Sequence, residues 1–115
     1  MTVSERTVGS VTVLDVEGGI TYTEGAERLR DKVRSLLQQG RRRIVVNLAA
    51  VAHVDSVGLG ELVQAYATTV RQGGQLKMLN ATRRLHDLLV ITKLATVFEL
   101  YENEADALAS FTTTV

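Results

Sequence analysis

The sequence predicts an α/β protein with a mixed sheet of four to five strands and about four helices. Short apolar or alternating stretches, typical of strands, are separated by longer stretches whose apolar residues follow helical spacing. The two kinds alternate along all 115 residues, with no repeat, low-complexity segment or linker. This order favours parallel strands joined by right-handed crossovers, and the length favours one domain over residues 1–115.

The predicted strands begin with a hairpin. Residues 2–7 and 11–16 alternate or are rich in β-branched residues, and Gly9-Ser10 lies between them. Residues 43–48 form a continuously apolar run, which predicts a central strand buried on both faces. Two further strands are predicted at Gln75–Leu79 and Phe98–Tyr101.

Four helices are predicted between and after these strands. The first covers residues 24–39, with Thr23 as its N-cap and Gly40 at its end. The second starts at Ser56, as its N-cap, and ends at Gly73-Gly74. Thr82 and Asn103 are predicted to cap the third and fourth helices. The predicted buried positions, in chain order, are Ala26, Leu29, Val33, Leu36, Leu37, Leu59, Leu62, Val63, Tyr66, Ala67, Val70, Leu85, Leu88, Leu89, Ala107, Leu108 and Phe111.

Composition narrows the classes of function. Basic and acidic residues number 13 each, so no charge excess favours nucleic acid or an anionic membrane as a partner. Cysteine is absent, which removes disulfides and thiolate chemistry. No apolar run has the length of a membrane span, and the first residues do not resemble a secretion signal. We therefore expect a cytoplasmic protein.

Residues 53–63, HVDSVGLGELV, concentrate chemically active side chains. His53, Asp55 and Ser56 suggest a hydrolytic triad, but on an extended segment the first two point the same way about 6–7 Å apart and Ser56 points away. A nucleophile elbow would also need glycine where Val54 stands. A serine hydrolase is therefore disfavoured, and His53 is interpreted as a partly exposed loop residue.

Cofactor and metal sites are also weakly supported by this segment. Gly58 and Gly60 resemble the start of a dinucleotide-binding motif, but Val63 replaces its third glycine and the glycines fall inside a predicted helix. His53 and Asp55 are too few for a zinc site. We expect no cofactor, no metal and no enzymatic activity.

The glycines themselves need an explanation. In a first helical turn, Gly58 and Gly60 each cost roughly 0.5–1 kcal/mol relative to alanine. Either a surface left open for a closely approaching partner or tight packing of the helix on the sheet would account for that cost. The sequence leaves these two explanations open.

Residues Asp55–Gly60, DSVGLG, resemble the signature of STAS domains, specifically of the bacterial anti-sigma factor antagonists. The resemblance covers nearly the whole chain. Residues 47–54 are similar to the family's strand before the site, residues 88–100 to its closing helix, loop and strand, and residues 104–108 to its terminal helix.

The resemblance implies a phosphorylation switch that regulates sigma-factor-dependent transcription. Ser56 would be phosphorylated by a partner that is both anti-sigma factor and serine kinase, and a phosphatase would restore it. The unphosphorylated form would bind the anti-sigma factor and free the sigma factor. A helix N-terminus tolerates a phosphate, whereas the same charge inside a close interface opposes binding. The residues implied to contact the partner are Asp55, Ser56, Val57, Gly58, Leu59, Gly60 and Thr21.

Three features of the sequence depart from the family pattern: Val57, Thr21 and the basic triplet at residues 41–43. Val57 stands where a small or hydroxyl residue is common and could narrow access to Ser56, and Thr21 stands where many members have aspartate. Asp55 could either repel the phosphate or orient the kinase. The basic triplet at residues 41–43 is interpreted as a solvated turn.

Alternative functions are a STAS subunit of a transport or stress-signalling complex, a small hydrolase using Ser56, and nucleotide binding.

Overall fold

The computed structural model describes residues 1–113 and confirms the predicted α/β fold. Strands and helices alternate after an initial hairpin, and short 3₁₀ segments lie at Leu94–Thr96 and Ser110–Thr113. In chain order the elements are β1 (Thr2–Val8), β2 (Val11–Ile20), α1 (Ala26–Gln38), β3 (Arg43–Val54), α2 (Ser56–Arg71), β4 (Gln75–Leu79), α3 (Arg83–Ile91), β5 (Leu100–Tyr101) and α4 (Glu104–Ala109).

The sheet is mixed, with the strands in sequence order from β1 to β5. The β1 edge strand is antiparallel to β2, and the other neighbouring pairs are parallel. The helices α1, α2 and α3 connect the parallel strands in turn. Because Ile20 at the end of β2 pairs with Val54 at the end of β3, the loops that follow these two strands emerge side by side. We call this end of the sheet the carboxyl edge.

Both faces of the sheet are covered. On one face Leu14, Ile44 and Met78 pack with residues of the first three helices, including Leu29 and Leu62. On the other face the core consists of Val11, Val13, Val45, Leu79, Ala107 and Phe111, which brings in α4 and the segment after it. Side chains that alternate along β3 therefore meet opposite layers, and the prediction of a central strand buried on both faces is confirmed.

The predicted caps are partly correct. The side chains of Thr82 and Asn103 accept hydrogen bonds from the N–H groups of Leu85 and Asp106, as predicted. The prediction for Thr23 is wrong, because Gly25 precedes α1 with a φ of 90° and no side chain caps this helix. A tight turn determines this start, since the Thr21 N–H donates to the Glu24 carbonyl at 2.6 Å.

The strand and helix boundaries also differ from the predictions. Both β2 and β3 continue beyond the predicted ends to reach the carboxyl edge, and β5 is shorter because Phe98 packs into the core before the strand begins. Val70 was predicted to be buried in α2, but it is 48% exposed. Thr69 is buried in its place, because its hydroxyl donates to the Ala65 carbonyl at 2.7 Å and is thereby satisfied.

The basic triplet is not a solvated turn. All three side chains are partly buried and donate hydrogen bonds, Arg41 to Thr12, Arg42 to the Leu37 carbonyl and Arg43 to Ser10. Because the acceptors belong to α1 and to the hairpin, the triplet ties both to the start of β3.

Lys77 is buried in β4, although lysine is rarely buried without a partner. Its ammonium lies 2.8 Å from a Glu99 carboxylate oxygen and donates to the Ser110 hydroxyl at 2.7 Å. It also lies 4.5 Å from the centre of the Phe111 ring. These contacts hold the segment after α4 on the sheet.

Candidate functional site

Ser56 is the first residue of α2, at the carboxyl edge, and its side chain is exposed. The prediction that it caps the helix is wrong. Asp55 is the N-cap, and its Oδ1 accepts from the Gly58 N–H at 2.8 Å. A carboxylate is the stronger acceptor, and its charge is favourable at a helix N-terminus. The Ser56 hydroxyl is consequently not used for capping and makes no hydrogen bond with the described residues.

Asp55 also joins two segments of the carboxyl edge. Its second oxygen, Oδ2, accepts from the Tyr22 N–H at 2.9 Å. The N–H groups of Gly58 and then Tyr22 hold the pKa of the Asp55 carboxyl below its ordinary value, since they stabilise the ionised form. Sequence reasoning assigned Asp55 to phosphate repulsion or kinase contacts. The structure adds a different role, in which one carboxylate fixes the β2–α1 loop to the start of α2.

We predict that Asp55→Asn keeps the cap but releases the loop. The amide oxygen can still accept from Gly58, whereas the NH₂ group that replaces Oδ2 cannot accept from Tyr22. Hydrogen exchange at the Tyr22 amide should become faster while the Gly58 amide keeps its protection. Asp87→Asn, at an exposed position of α3, is the control and should change neither amide. Unchanged exchange at Tyr22 would contradict the role assigned to Asp55.

Glycine stands at positions 58 and 60 for different structural reasons. A Cβ on Gly58 would overlap the carbonyl oxygen of Ile20 and lie 3.2 Å from its Cγ2, so this glycine allows α2 to pack tightly on β2. A Cβ on Gly60 would meet nothing within 4 Å. Of the two explanations left open by the sequence, tight packing therefore applies to Gly58, and open surface applies to Gly60.

The other residues implied to contact a partner differ in accessibility. Val57 is 43% exposed beside Ser56, whereas Leu59 is half-buried and packs against the core. Thr21 is half-buried, and its hydroxyl donates to the Glu24 carbonyl at 3.2 Å and accepts from the Glu24 N–H at 3.1 Å. Thr21 thus shapes the loop, and its hydroxyl is already engaged.

Tyr22 was missed by sequence reasoning. Its side chain is 78% exposed, although its backbone N–H is fixed by Asp55. The available signal was an aromatic residue in a short loop after a strand, since exposed aromatics on rigid loops are unusual and often contact partners.

The histidines do not complete a triad. His53 is exposed and lies in β3, paired with Gly19, so its interpretation as a loop residue is wrong. His86 lies in α3. Both oxygens of Asp55 accept backbone N–H groups, so this carboxylate does not orient a histidine toward Ser56. Within residues 1–113, no three His, Asp or Glu side chains are grouped to hold a metal ion, and none of the helices is long and apolar enough to cross a membrane.

The family model of the STAS domain matches residues 2–107, and the chain therefore belongs to the STAS domain family. Over 72 residues it is 36% identical to the anti-sigma-B factor antagonist of Bacillus subtilis (strain 168), a match that covers 63% of this chain and 65% of the relative. The match thus spans slightly less than two thirds of that relative's length.

Two solved structures share the fold. An anti-sigma factor antagonist from Mycobacterium paratuberculosis superposes with a TM-score of 0.83 at 25% identity, covering 95% of this chain and 92% of that one. The Bacillus cell fate determinant SpoIIAA in its phosphorylated form superposes with a TM-score of 0.74 at 18% identity, covering 96% of this chain and 99% of that one.

Proposed function

We propose that this protein is an anti-sigma factor antagonist that does not itself catalyse a reaction. In its unphosphorylated state it binds an anti-sigma factor that is also a serine kinase, and so frees a sigma factor. The kinase phosphorylates Ser56, and a phosphatase reverses the modification. The observation that carries this proposal is the exposed Ser56 hydroxyl, which no described residue engages, at the first position of α2.

The different roles of Asp55 and Ser56 support Ser56 as the phosphoacceptor. Since Asp55 caps α2, phosphorylation of Ser56 removes no capping hydrogen bond. In the transfer, the Ser56 oxygen would bond to the γ-phosphorus of ATP as the bond to ADP breaks, and its proton would pass to a base of the kinase. This chain need supply only an accessible oxygen.

The location of Ser56 also supports gating of binding. A phosphate adds about −1.5 to −2 charges, which the dipole of α2 stabilises within this protein. The surrounding surface includes the open position at Gly60 and the exposed Val57, so a partner can approach closely. In such an interface the phosphate would lose hydration and add bulk, and binding would weaken.

The relatives support the same function. The Bacillus subtilis relative is named for antagonism of an anti-sigma factor, as is the protein of known structure from Mycobacterium paratuberculosis. SpoIIAA, which has the same fold, has been solved in a phosphorylated form.

The test is phosphorylation by purified kinases. Each anti-sigma factor kinase encoded in the source genome is incubated with ATP and the protein, and intact mass counts the phosphates. We expect one kinase to add one phosphate to the wild type and to Ser35→Ala, a control at an exposed serine of α1, but none to Ser56→Ala. Full phosphorylation of Ser56→Ala, or no phosphorylation of the wild type by any of these kinases, would refute the proposal.

A further inference from the structure

Three segments of the chain meet around the carboxyl edge. The loop that contains Tyr22 follows β2 and lies on one side of the segment that leads to Ser56. The Tyr22 N–H donates a hydrogen bond to the Asp55 carboxylate in that segment. On the other side β3 extends past the end of β4, and the first turn of α3 packs beside this extension. Arg84 lines a small cleft there together with His53 and Val54.

Tyr22 has the properties of an interface anchor. Most of its ring is exposed, yet its backbone is held by the bond to Asp55 and by the turn in which Thr21 and Glu24 bond each other. A large side chain on a fixed backbone loses little conformational freedom on binding, which is one reason tyrosine is enriched among residues that dominate interface energies. Val57, exposed next to Ser56, adds apolar area to the same surface.

Arg83 and Arg84 are unexplained by the stability of the fold. Both are exposed in the first turn of α3, where positive charge opposes the helix dipole. Among the described residues, no carboxylate lies within ion-pair distance of either guanidinium. Two cations kept at an unfavourable end of a helix, one of which, Arg84, lines the cleft with His53 and Val54, point to an anionic partner surface.

We propose that the docking surface for the anti-sigma factor kinase extends beyond the Ser56 segment, with Tyr22 as its apolar anchor and the Arg83–Arg84 pair as its cationic flank. The surface fits a partner that presents an apolar pocket beside acidic side chains. This inference rests on the proposed function and assigns residues that the sequence signature does not include. It also explains why phosphorylation should weaken binding, because a phosphate on Ser56 would repel the acidic side chains of the partner that the arginines attract.

The experiment measures dissociation constants for the kinase that phosphorylates the wild type. Tyr22→Ala should weaken binding about tenfold or more, as expected for an interface anchor. Arg83→Ala combined with Arg84→Ala should weaken binding at low salt, mainly through slower association, and the difference should shrink as salt is raised. Because the arginines oppose the dipole, this double variant should melt no lower than the wild type.

Matched controls separate local from general effects. Ile91→Ala removes an equally exposed apolar side chain, and the pair Arg34→Ala and Arg71→Ala removes two exposed arginines away from the carboxyl edge. These controls should bind as the wild type does. Wild-type affinity in Tyr22→Ala, or a loss in the arginine double variant no larger than in its control, would overturn this surface. In either case phosphorylation at Ser56 could still stand, so the two proposals fail separately.

Discussion

The variant Gly58→Ala is expected to be less stable than the wild type, by about 1–3 kcal/mol, despite the higher helix propensity of alanine. The added methyl group would overlap the carbonyl oxygen of Ile20, which is backbone and cannot rotate away. Either α2 must move off β2, or the end of β2 must shift. Because the Tyr22 loop follows this end of β2, partner binding should weaken as well. Thermal and urea unfolding measure the stability.

Gly60→Ala is the matched control on the same helix. Its methyl group meets nothing, so alanine should stabilise α2 by about 0.5–1 kcal/mol. If the open surface serves a close-approaching partner, this more stable variant should nevertheless bind the kinase more weakly. Equal stability of the two alanine variants would contradict the packing role of Gly58.

Ser56→Asp is expected to give the largest loss of binding at constant stability. A carboxylate at the first position of α2 interacts favourably with the helix dipole but is repelled by the neighbouring Asp55. Because these two effects oppose each other, the free energy of unfolding should change by no more than about 0.5 kcal/mol. At the partner interface the charge must be desolvated, and a difference of about 1.4 kcal/mol already lowers affinity tenfold. Isothermal titration with the kinase measures this difference.

Ser56→Asn separates charge from size. Asparagine has nearly the shape of aspartate without its charge, so its affinity should stay much closer to that of the wild type. If both variants lose affinity equally, bulk at this position, and not charge, controls binding. If neither loses affinity, Ser56 does not lie in the interface.

Much of the fold was predictable because the spacing of apolar residues along the sequence indicates which side chains are buried. The hairpin, the central β3 and the helices followed from apolar spacing, and the caps at Thr82 and Asn103 followed from side-chain chemistry. The errors came where local candidates competed. Asp55 and Ser56 are both good caps, and the carboxylate is the one whose oxygens reach Gly58 and Tyr22.

The candidate site was predictable in position but not in organisation. The signature located Ser56, but only the paired ends of β2 and β3 place the Tyr22 loop beside it. The reason for Gly58 is a contact with Ile20, 38 positions earlier by the numbering, which no local pattern contains. Arg84 comes close to His53 and Val54, which precede Ser56, only through the packing of α3 beside the extension of β3, and Arg83 is its neighbour in the same helical turn.

The most direct test of the switch compares one sample in two states. The protein is phosphorylated by its kinase, and its affinity for that kinase is measured at a fixed nucleotide concentration. The measurement is repeated under the same conditions after a phosphatase has removed the phosphate. Gating at Ser56 predicts that the phosphorylated form binds at least about tenfold more weakly and that dephosphorylation restores the original affinity. Equal affinities of the two forms would contradict it.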